Sequence, residues 1–138
     1  MMEEKHVVTS FLEYNNKILI LRRSQAVGTY QGKWAGVSGY IEEGNTPFEQ
    51  SLEEIREETG FSRLDVELIK EGDVLEVVDE DLGRKWIVHP YRFRVKDPSR
   101  VRIDWEHKKA KWILPQDIVK YSTVPKLKET WQRVENEN

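Results

Sequence analysis

The sequence contains no cysteine, which excludes disulfide bonds, zinc–thiolate sites and catalysis by a thiol nucleophile. No apolar run is long enough to cross a membrane, and the first residues, MMEEKHVVTSF, lack the basic region and apolar run of a signal peptide. The formal net charge is only −3, so no excess of positive charge favours nucleic acid as a partner. We therefore expect a cytoplasmic protein with neither a membrane nor a stable nucleic-acid partner.

What is present suffices for a single domain over residues 1–138. Hydrophobic residues make up 38% of the chain and charged residues 34%, which predicts a real core under a strongly polar surface. Strand-like and helix-like segments are mixed without the rhythm of βαβ units. This order favours an α+β fold or a mixed-sheet sandwich.

Most predicted strands are rich in β-branched or aromatic residues and lie between turn signals. His6–Tyr14 and Lys17–Arg23 form a predicted hairpin. The other predicted strands are Trp34–Ile41, which glycine interrupts, Asp65–Val78 and Lys85–Val95 as an antiparallel pair, and Ala110–Leu114. Two short helices are predicted near the end of the sequence, from Pro115 to Tyr121 and from Pro125 onward.

The clearest predicted helix runs from Thr46 to Thr59. Thr46 suits the N-cap, Pro47 the first helical position, and Glu49 completes a T-x-x-E capping box. Gly60 suits the position just past the helix end. The stripe predicted to face the core consists of Phe48, Leu52, Ile55 and Thr59.

Three glutamates, Glu54, Glu57 and Glu58, lie on one flank of this helix beside the predicted core face. Like charges at i, i+4 cost roughly 0.2–0.5 kcal/mol, and the helix dipole disfavours anions in the C-terminal half. Taken by itself, this cluster of glutamates is explained by a solvated acidic face of the helix. The upstream turn Ser38-Gly39, where a backbone carbonyl can approach, favours instead a site for Mg²⁺ or Mn²⁺, which take oxygen ligands and keep waters for a phosphate.

The segment Gly39–Phe61 resembles the signature of the Nudix (MutT-like) hydrolases, G-x5-E-x7-R-E-U-x-E-E-x-G-U, where U is a bulky apolar residue. The matching positions are Gly39, Glu54, Ile55, Glu57, Glu58, Gly60 and Phe61. The signature is degenerate, because Asn45 stands where the family has Glu and Glu53 where it has Arg. Residues before and after the segment, Trp34 and Glu106-His107 among them, also fit the family pattern.

The resemblance implies an α/β/α sandwich around a mixed sheet. It also implies Mg²⁺- or Mn²⁺-assisted hydrolysis of a diphosphate bond in a small nucleoside diphosphate derivative or a triphosphate-like substrate. Carried across, Glu57 and Glu58 are metal ligands, Glu54 is a further ligand or base, and the Ser38 carbonyl completes the metal site. Glu106 matches a loop glutamate that binds metal or acts as general base in some members. The candidate catalytic residues are therefore Glu54, Glu57 and Glu106.

Arg22 and Arg23 end the strand before the site, where an arginine can clamp phosphate, although a polar strand end explains them equally well. Trp34 is a candidate for stacking on a base, as are Tyr30, Trp86 and Tyr91, and ordinary packing is the alternative for each.

Glu53 reverses the charge of the family arginine, which holds a catalytic glutamate in position. The alternative to a hydrolase is therefore a non-catalytic nucleotide-binding module with a regulatory role. An isomerase on the same fold relies on a cysteine, and the chain has none. Family members are often dimers, so a homodimer is left open.

Overall fold

The computed structural model describes residues 2–102 and 106–137, apart from the side chain of Lys108. The strands, in chain order, are β1 (Glu3–Tyr14), β2 (Lys17–Arg23), β3 (Trp34–Ala35), β4 (Val37–Tyr40), β5 (Val66–Glu71), β6 (Leu75–Asp79), β7 (Arg84–Val95) and β8 (His107–Ile113). The α-helices are α1 (Pro47–Thr59) and α2 (Leu127–Gln132). Short 3₁₀ turns lie at Arg63–Asp65, Pro98–Arg100 and Pro115–Lys120.

The sheet is built on the parallel pair of its two longest strands, β1 and β7, which run side by side from Glu3 opposite Arg84 to Glu13 opposite Arg94. Two antiparallel strands share the outer edge of β7: β6 pairs with its first half and β5 with its second. The outer edge of β1 is shared likewise by β4 and β2, and β2 in turn carries β3 and β8. This pairing gives the predicted mixed sheet.

Alternate residues of the central strands face two separate cores. Val8 and Leu12 of β1 pack with Ile55 of α1 on one face of the sheet. Phe11 packs with Trp131 of α2 on the other face. The sheet therefore lies between helices, and the predicted α/β/α sandwich is confirmed.

The predicted limits of α1 are confirmed because strong local signals define both ends. The Thr46 hydroxyl accepts the backbone N–H of Glu49 at 3.1 Å, and the Glu49 carboxylate accepts the N–H of Thr46 at 2.9 Å, which completes the capping box. Gly60 closes the helix with a φ of 80°, a conformation that suits glycine.

The prediction of one strand over Asp65–Val78 is wrong. The segment forms two strands because β7 is long enough to pair with both, and the chain leaves the sheet between them. A Cβ on Gly72, in this break, would lie 2.5 Å from the carbonyl oxygen of Arg133, so the backbone passes close to the C-terminal segment. Three other predicted starts shift by two or three residues: β1 begins at Glu3, β8 at His107 and α2 at Leu127.

Arg92 of β7 ties the central strands to the C-terminal segment. Its Nε donates to the carboxylate of Glu13 at 2.9 Å, and each of the two residues is only 8% exposed. Its Nη1 donates to the carbonyl oxygens of Val134 at 3.3 Å and Glu135 at 3.0 Å. The guanidinium also lies over the ring of Trp131, 5.3 Å from its centroid. These contacts hold α2 against the sheet.

We expect Glu13→Gln to lower the free energy of unfolding by about 3 kcal/mol, because it leaves the buried charge of Arg92 with only the exposed carboxylate of Glu137, 3.6 Å away, as a described counter-charge. The matched control is Glu67→Gln, which breaks the exposed pair with Arg94 at 3.5 Å and should cost less than about 0.5 kcal/mol. Urea unfolding followed by tryptophan fluorescence measures both variants. Equal losses in the two would contradict the structural role of the buried pair.

Candidate active site

A cavity of about 250 Å³ opens on the face of the sheet that carries α2. Its floor includes Val7 and Val88 of the two central strands, and Leu127 of α2 contributes to a wall. Its polar end consists of Arg23, Ser38, Gly39, Glu54 and Glu106. An apolar floor with a few convergent polar groups at one end is the usual form of a small-molecule site.

Glu54 reaches this cavity because Gly39 has no side chain. A Cβ built on Gly39 would overlap the Glu54 carboxylate, so that carboxylate occupies the space where another residue would carry its side chain. The contact brings a carboxylate of α1 against the backbone of β4. The glycine that opens the signature is therefore required by close packing.

The pKa of Glu54 is raised to about 8. Burial is the largest cause, and the neighbouring charge of Glu57 is the next. The charges of Glu106 and Glu53 act in the same direction, while a hydrogen bond from Gln50 opposes them. At neutral pH the site therefore favours a proton or a cation beside Glu54.

Glu58 is 2% exposed and lies against two strands. Its Oε1 accepts the backbone N–H of Ser38 at 3.4 Å and lies 3.5 Å from Nε2 of His107, the first residue of β8. Burying a carboxylate is costly unless polar groups surround it. These contacts place Glu58 directly beside the predicted metal-binding backbone at Ser38.

Glu57 is exposed, and its carboxylate lies 3.7 Å from the guanidinium of Arg56. Glu106 lines the polar end of the cavity, and its backbone carbonyl accepts the N–H of Ser24 at 2.7 Å. The structure thus brings Glu54, Glu58, Glu106 and Ser38 together, with Glu57 acting on Glu54 through its charge.

The donor chemistry of these residues fits Mg²⁺ or Mn²⁺, because every candidate ligand is an oxygen and the carboxylates concentrate negative charge. Within residues 2–102 and 106–137, however, no three acidic or histidine side chains are already spaced to hold a metal ion. The residues fit the metal by charge and donor type and do not form a preassembled three-carboxylate cage.

Only one of the two predicted arginines points to the cavity, because neighbouring strand residues face opposite ways. Arg23 lines the polar end, where its Nε donates to the Thr29 carbonyl at 2.9 Å. Burial lowers its pKa, against the charges of Glu58 and Glu106. Arg22 instead donates from Nε to the carbonyl of Gly32 at 3.1 Å and is not among the described residues that line the cavity.

The aromatic candidates divide in the same way. Tyr30 and Trp86 line the cavity, and the indole N–H of Trp86 donates to the Tyr30 hydroxyl at 2.9 Å. Trp34 packs edge-on against Tyr121, with ring centroids 5.5 Å apart, and does not belong to the described lining of the cavity. Tyr91 lies in the core beneath α1. The predicted substrate contacts of Arg22 and Trp34 therefore gain no support from this arrangement.

Sequence reasoning missed Tyr40, which lines the cavity next to Gly39 and is 49% exposed. Alternation along β4 was the available signal, because it puts Tyr40 on the same face as Ser38. It also missed Arg84, whose Nη1 donates to the Tyr40 hydroxyl at 3.4 Å. Arg84 lies far from the signature in the sequence, and no local signal predicts that the two meet.

The two irregular positions of the signature belong to one amide network centred on Gln50, which is 1% exposed. The Gln50 carbonyl oxygen accepts the backbone N–H of Glu42 and the amide of Asn45, both at 2.9 Å. Its amide nitrogen therefore points the other way and donates to Glu54 at 3.4 Å. Asn45 also donates to Glu53 at 3.2 Å. Neutral amides here orient a carboxylate that the family signature holds with an arginine.

Comparisons with known proteins show the family and the fold of the chain. The model of the NUDIX domain family matches residues 4–134. A NUDIX hydrolase from Nitrosomonas europaea superposes with a TM-score of 0.78 at 19% identity, covering 96% of this chain and 89% of that one. The MutT protein from Methanosarcina mazei Go1 superposes with a TM-score of 0.76 at 22% identity, covering 99% and 96%. An Ap4A hydrolase from C. elegans gives 0.74 at 14% identity, covering 96% and 94%.

The chain belongs to the Nudix family, whose hydrolases cleave nucleoside diphosphate derivatives. The family match confirms the predicted enzyme class, a Nudix-type pyrophosphohydrolase. The structural neighbours share the fold of this chain.

Gln50→Met should reduce turnover about tenfold, because Glu54 loses a donor whose hydrogen bond is worth about 1 kcal/mol or slightly more. The matched control is Ser51→Ala, which removes a buried hydroxyl whose hydrogen bond within the described residues goes to the Phe48 carbonyl on the same helix. Steady-state kinetics and thermal unfolding of both variants separate positioning from stability. A parallel loss of turnover in Ser51→Ala would refute the positioning role of Gln50.

Gly39→Ala should lower turnover at least about tenfold while changing Tm little, because the overlapping group is the flexible end of Glu54. The same substitution in a Glu54→Gln background should cause no further loss, since the two residues act as one unit. Rate measurements on the single and double variants complete this cycle. Additive losses would show that Gly39 acts independently of Glu54.

Proposed function

We propose that the protein is a Mg²⁺- or Mn²⁺-dependent hydrolase of a diphosphate bond in a nucleoside diphosphate derivative or a triphosphate-like nucleotide. The observation that carries this proposal is the meeting of Glu54, Glu106 and Arg23 at the polar end of the cavity, with the buried Glu58 bonded to the backbone of Ser38 beside them. The cavity accommodates a ring system, and the polar end accommodates the phosphates.

The residues divide the work of this reaction. Glu57, Glu58, Glu54 and the Ser38 carbonyl would hold the metal, which supplies positive charge to neutralise the diphosphate and to ease deprotonation of water. Glu54 and Glu106 line the cavity, and one of these two carboxylates would accept the proton of the attacking water. The Arg23 guanidinium would bind a phosphate oxygen from the same end.

A non-catalytic nucleotide-binding module with a regulatory role is the second candidate. Two observations favour it: Glu53 replaces the family arginine, and the described carboxylates do not form a preassembled metal cage. The Gln50 network weighs against it, because Gln50 supplies Glu54 with a hydrogen-bond donor in the absence of the arginine.

We further propose a single domain, a cytoplasmic location, a small-molecule substrate and no stable nucleic-acid partner, with a homodimer left open. In the described residues, no helix is both long and apolar enough for a membrane span. The similarity to a MutT protein and an Ap4A hydrolase suggests nucleoside triphosphates and dinucleoside polyphosphates as the first substrates to test.

The test is hydrolysis of a panel of nucleoside triphosphates, dinucleoside polyphosphates and nucleoside diphosphate sugars with Mg²⁺ or Mn²⁺. Glu57→Gln and Glu58→Gln should each reduce the rate at least about a hundredfold, the equivalent of about 3 kcal/mol. Glu76→Gln, which alters an exposed glutamate paired with Lys85, should not change it. Unchanged turnover in both site variants would remove these residues from the mechanism. Nucleotide binding without turnover of any panel member would favour the regulatory module.

A further inference from the structure

A second pocket, of about 290 Å³, adjoins the polar end of the cavity. Arg23, Thr29, Tyr40 and Glu106 line both spaces, so one opens into the other. Arg84 is the charged residue that lines the second pocket and not the first. We propose that Arg84, together with Arg23, binds a phosphate group of the substrate beyond the diphosphate bond that is cleaved. This inference rests on the proposed function and narrows its substrate to nucleotides with three or more phosphates.

Arg84 is held toward this pocket by aromatic residues. It is the first residue of β7, and alternation places it on the same face as Trp86 and Val88, the face of the cavity. Its guanidinium lies over the Trp86 ring, 5.4 Å from the centroid, and its Nη1 donates to the Tyr40 hydroxyl at 3.4 Å. The contact with the ring and this hydrogen bond restrain the guanidinium, whose fork of N–H groups suits two oxygens of one phosphate.

Arg84 is the arginine of this pocket whose charge is weakly compensated, because the carboxylates of Glu58 and Glu106 act on Arg23. The ion pair of Arg84 in the described chain is with Glu3, whose carboxylate lies 3.8 Å away and is 58% exposed. An exposed pair of this length contributes little and yields to a phosphate. Arg23 donates to the neutral carbonyl and hydroxyl of Thr29. Two guanidinium groups thus face one pocket in which Glu106 is the acidic lining residue.

The linings of the two spaces differ, and we assign a different part of the substrate to each. The larger cavity has the apolar floor and includes Glu54, whereas the second pocket does not include Glu54. A nucleotide whose ring occupies the apolar floor presents its phosphates at Glu54 and Arg23. The next phosphate along the chain then enters the pocket of Arg84.

The experiment compares two substrates of the same base, a nucleoside triphosphate and a nucleoside diphosphate sugar. In Arg84→Gln we expect the KM for the triphosphate to rise at least about tenfold, as expected for loss of a charge-assisted hydrogen bond, with kcat within about twofold. The KM for the diphosphate sugar should stay within about twofold. Arg84→Lys should give an intermediate KM, because an ammonium keeps the charge and loses the planar fork.

The matched control is Arg63→Gln. Arg63 is also an arginine over an aromatic ring, 5.7 Å from the centroid of Phe48, but it lies on the side of the sheet that carries α1. Thermal unfolding of all variants reports any loss of folding. An equal rise in KM for both substrates in Arg84→Gln, or no rise for the triphosphate, would overturn the proposal.

A binding measurement separates this proposal from the proposed hydrolysis. Calorimetric titration of inorganic tripolyphosphate into the metal-free wild-type protein should show binding that weakens at least about tenfold in Arg84→Gln and is unchanged in Arg63→Gln. If the wild-type protein cleaves no substrate, the hydrolase proposal fails while this titration still decides the subsite. Equal affinity in wild type and Arg84→Gln would refute the subsite whatever the activity.

Discussion

The site depends on the close approach of α1 to the backbone of β4 at Gly39. Only a residue without a side chain leaves room there for the Glu54 carboxylate. Through this gap, a carboxylate of the helix on one face of the sheet lines the cavity on the opposite face. The same packing brings Glu58 against the Ser38 N–H. The core beneath α1, with Ile55 at its centre, holds the helix at this distance.

The amide network around Gln50 explains how the signature tolerates its two irregular positions. An arginine would orient a glutamate by charge, whereas Gln50 orients Glu54 by geometry, because the Glu42 N–H fixes which end of the amide points to the carboxylate. Asn45 satisfies both the Gln50 oxygen and Glu53. A charge-assisted contact is exchanged for a weaker but directionally defined neutral one.

Local signals made much of the fold predictable. The limits of α1 depend on Thr46, Glu49 and Gly60, which act within one turn of the helix ends, and the β1–β2 hairpin depends on the turn between its strands. The split of Asp65–Val78 could not be read locally, because it depends on the length of the distant partner β7. The sequences of β5 and β6 contain no pattern that shows they share the edge of β7.

The same distinction applies to the site. The signature glutamates were predictable because they share one helix, whereas Arg84 and Tyr40 meet only through the pairing of β4 with β1 and of β1 with β7. Arg22 and Arg23 show the limit within a strand: they are adjacent in sequence, and only the register of the sheet determines which of them faces the cavity.

The hydrogen bonds from Arg92 to the C-terminal segment have a consequence for how the sequence of this enzyme can change. Arg92 donates to the backbone carbonyl oxygens of Val134 and Glu135, and every amino acid has such a carbonyl. These two hydrogen bonds therefore do not depend on the side chains at those positions, although the Val134 side chain is itself buried in the core beside α2. Leu127 and Thr130 of α2 form part of the cavity wall. Substitutions at these two positions can change the space for the ring of the substrate. The hydrogen bonds of Arg92 and the carboxylates across the cavity would stay in place.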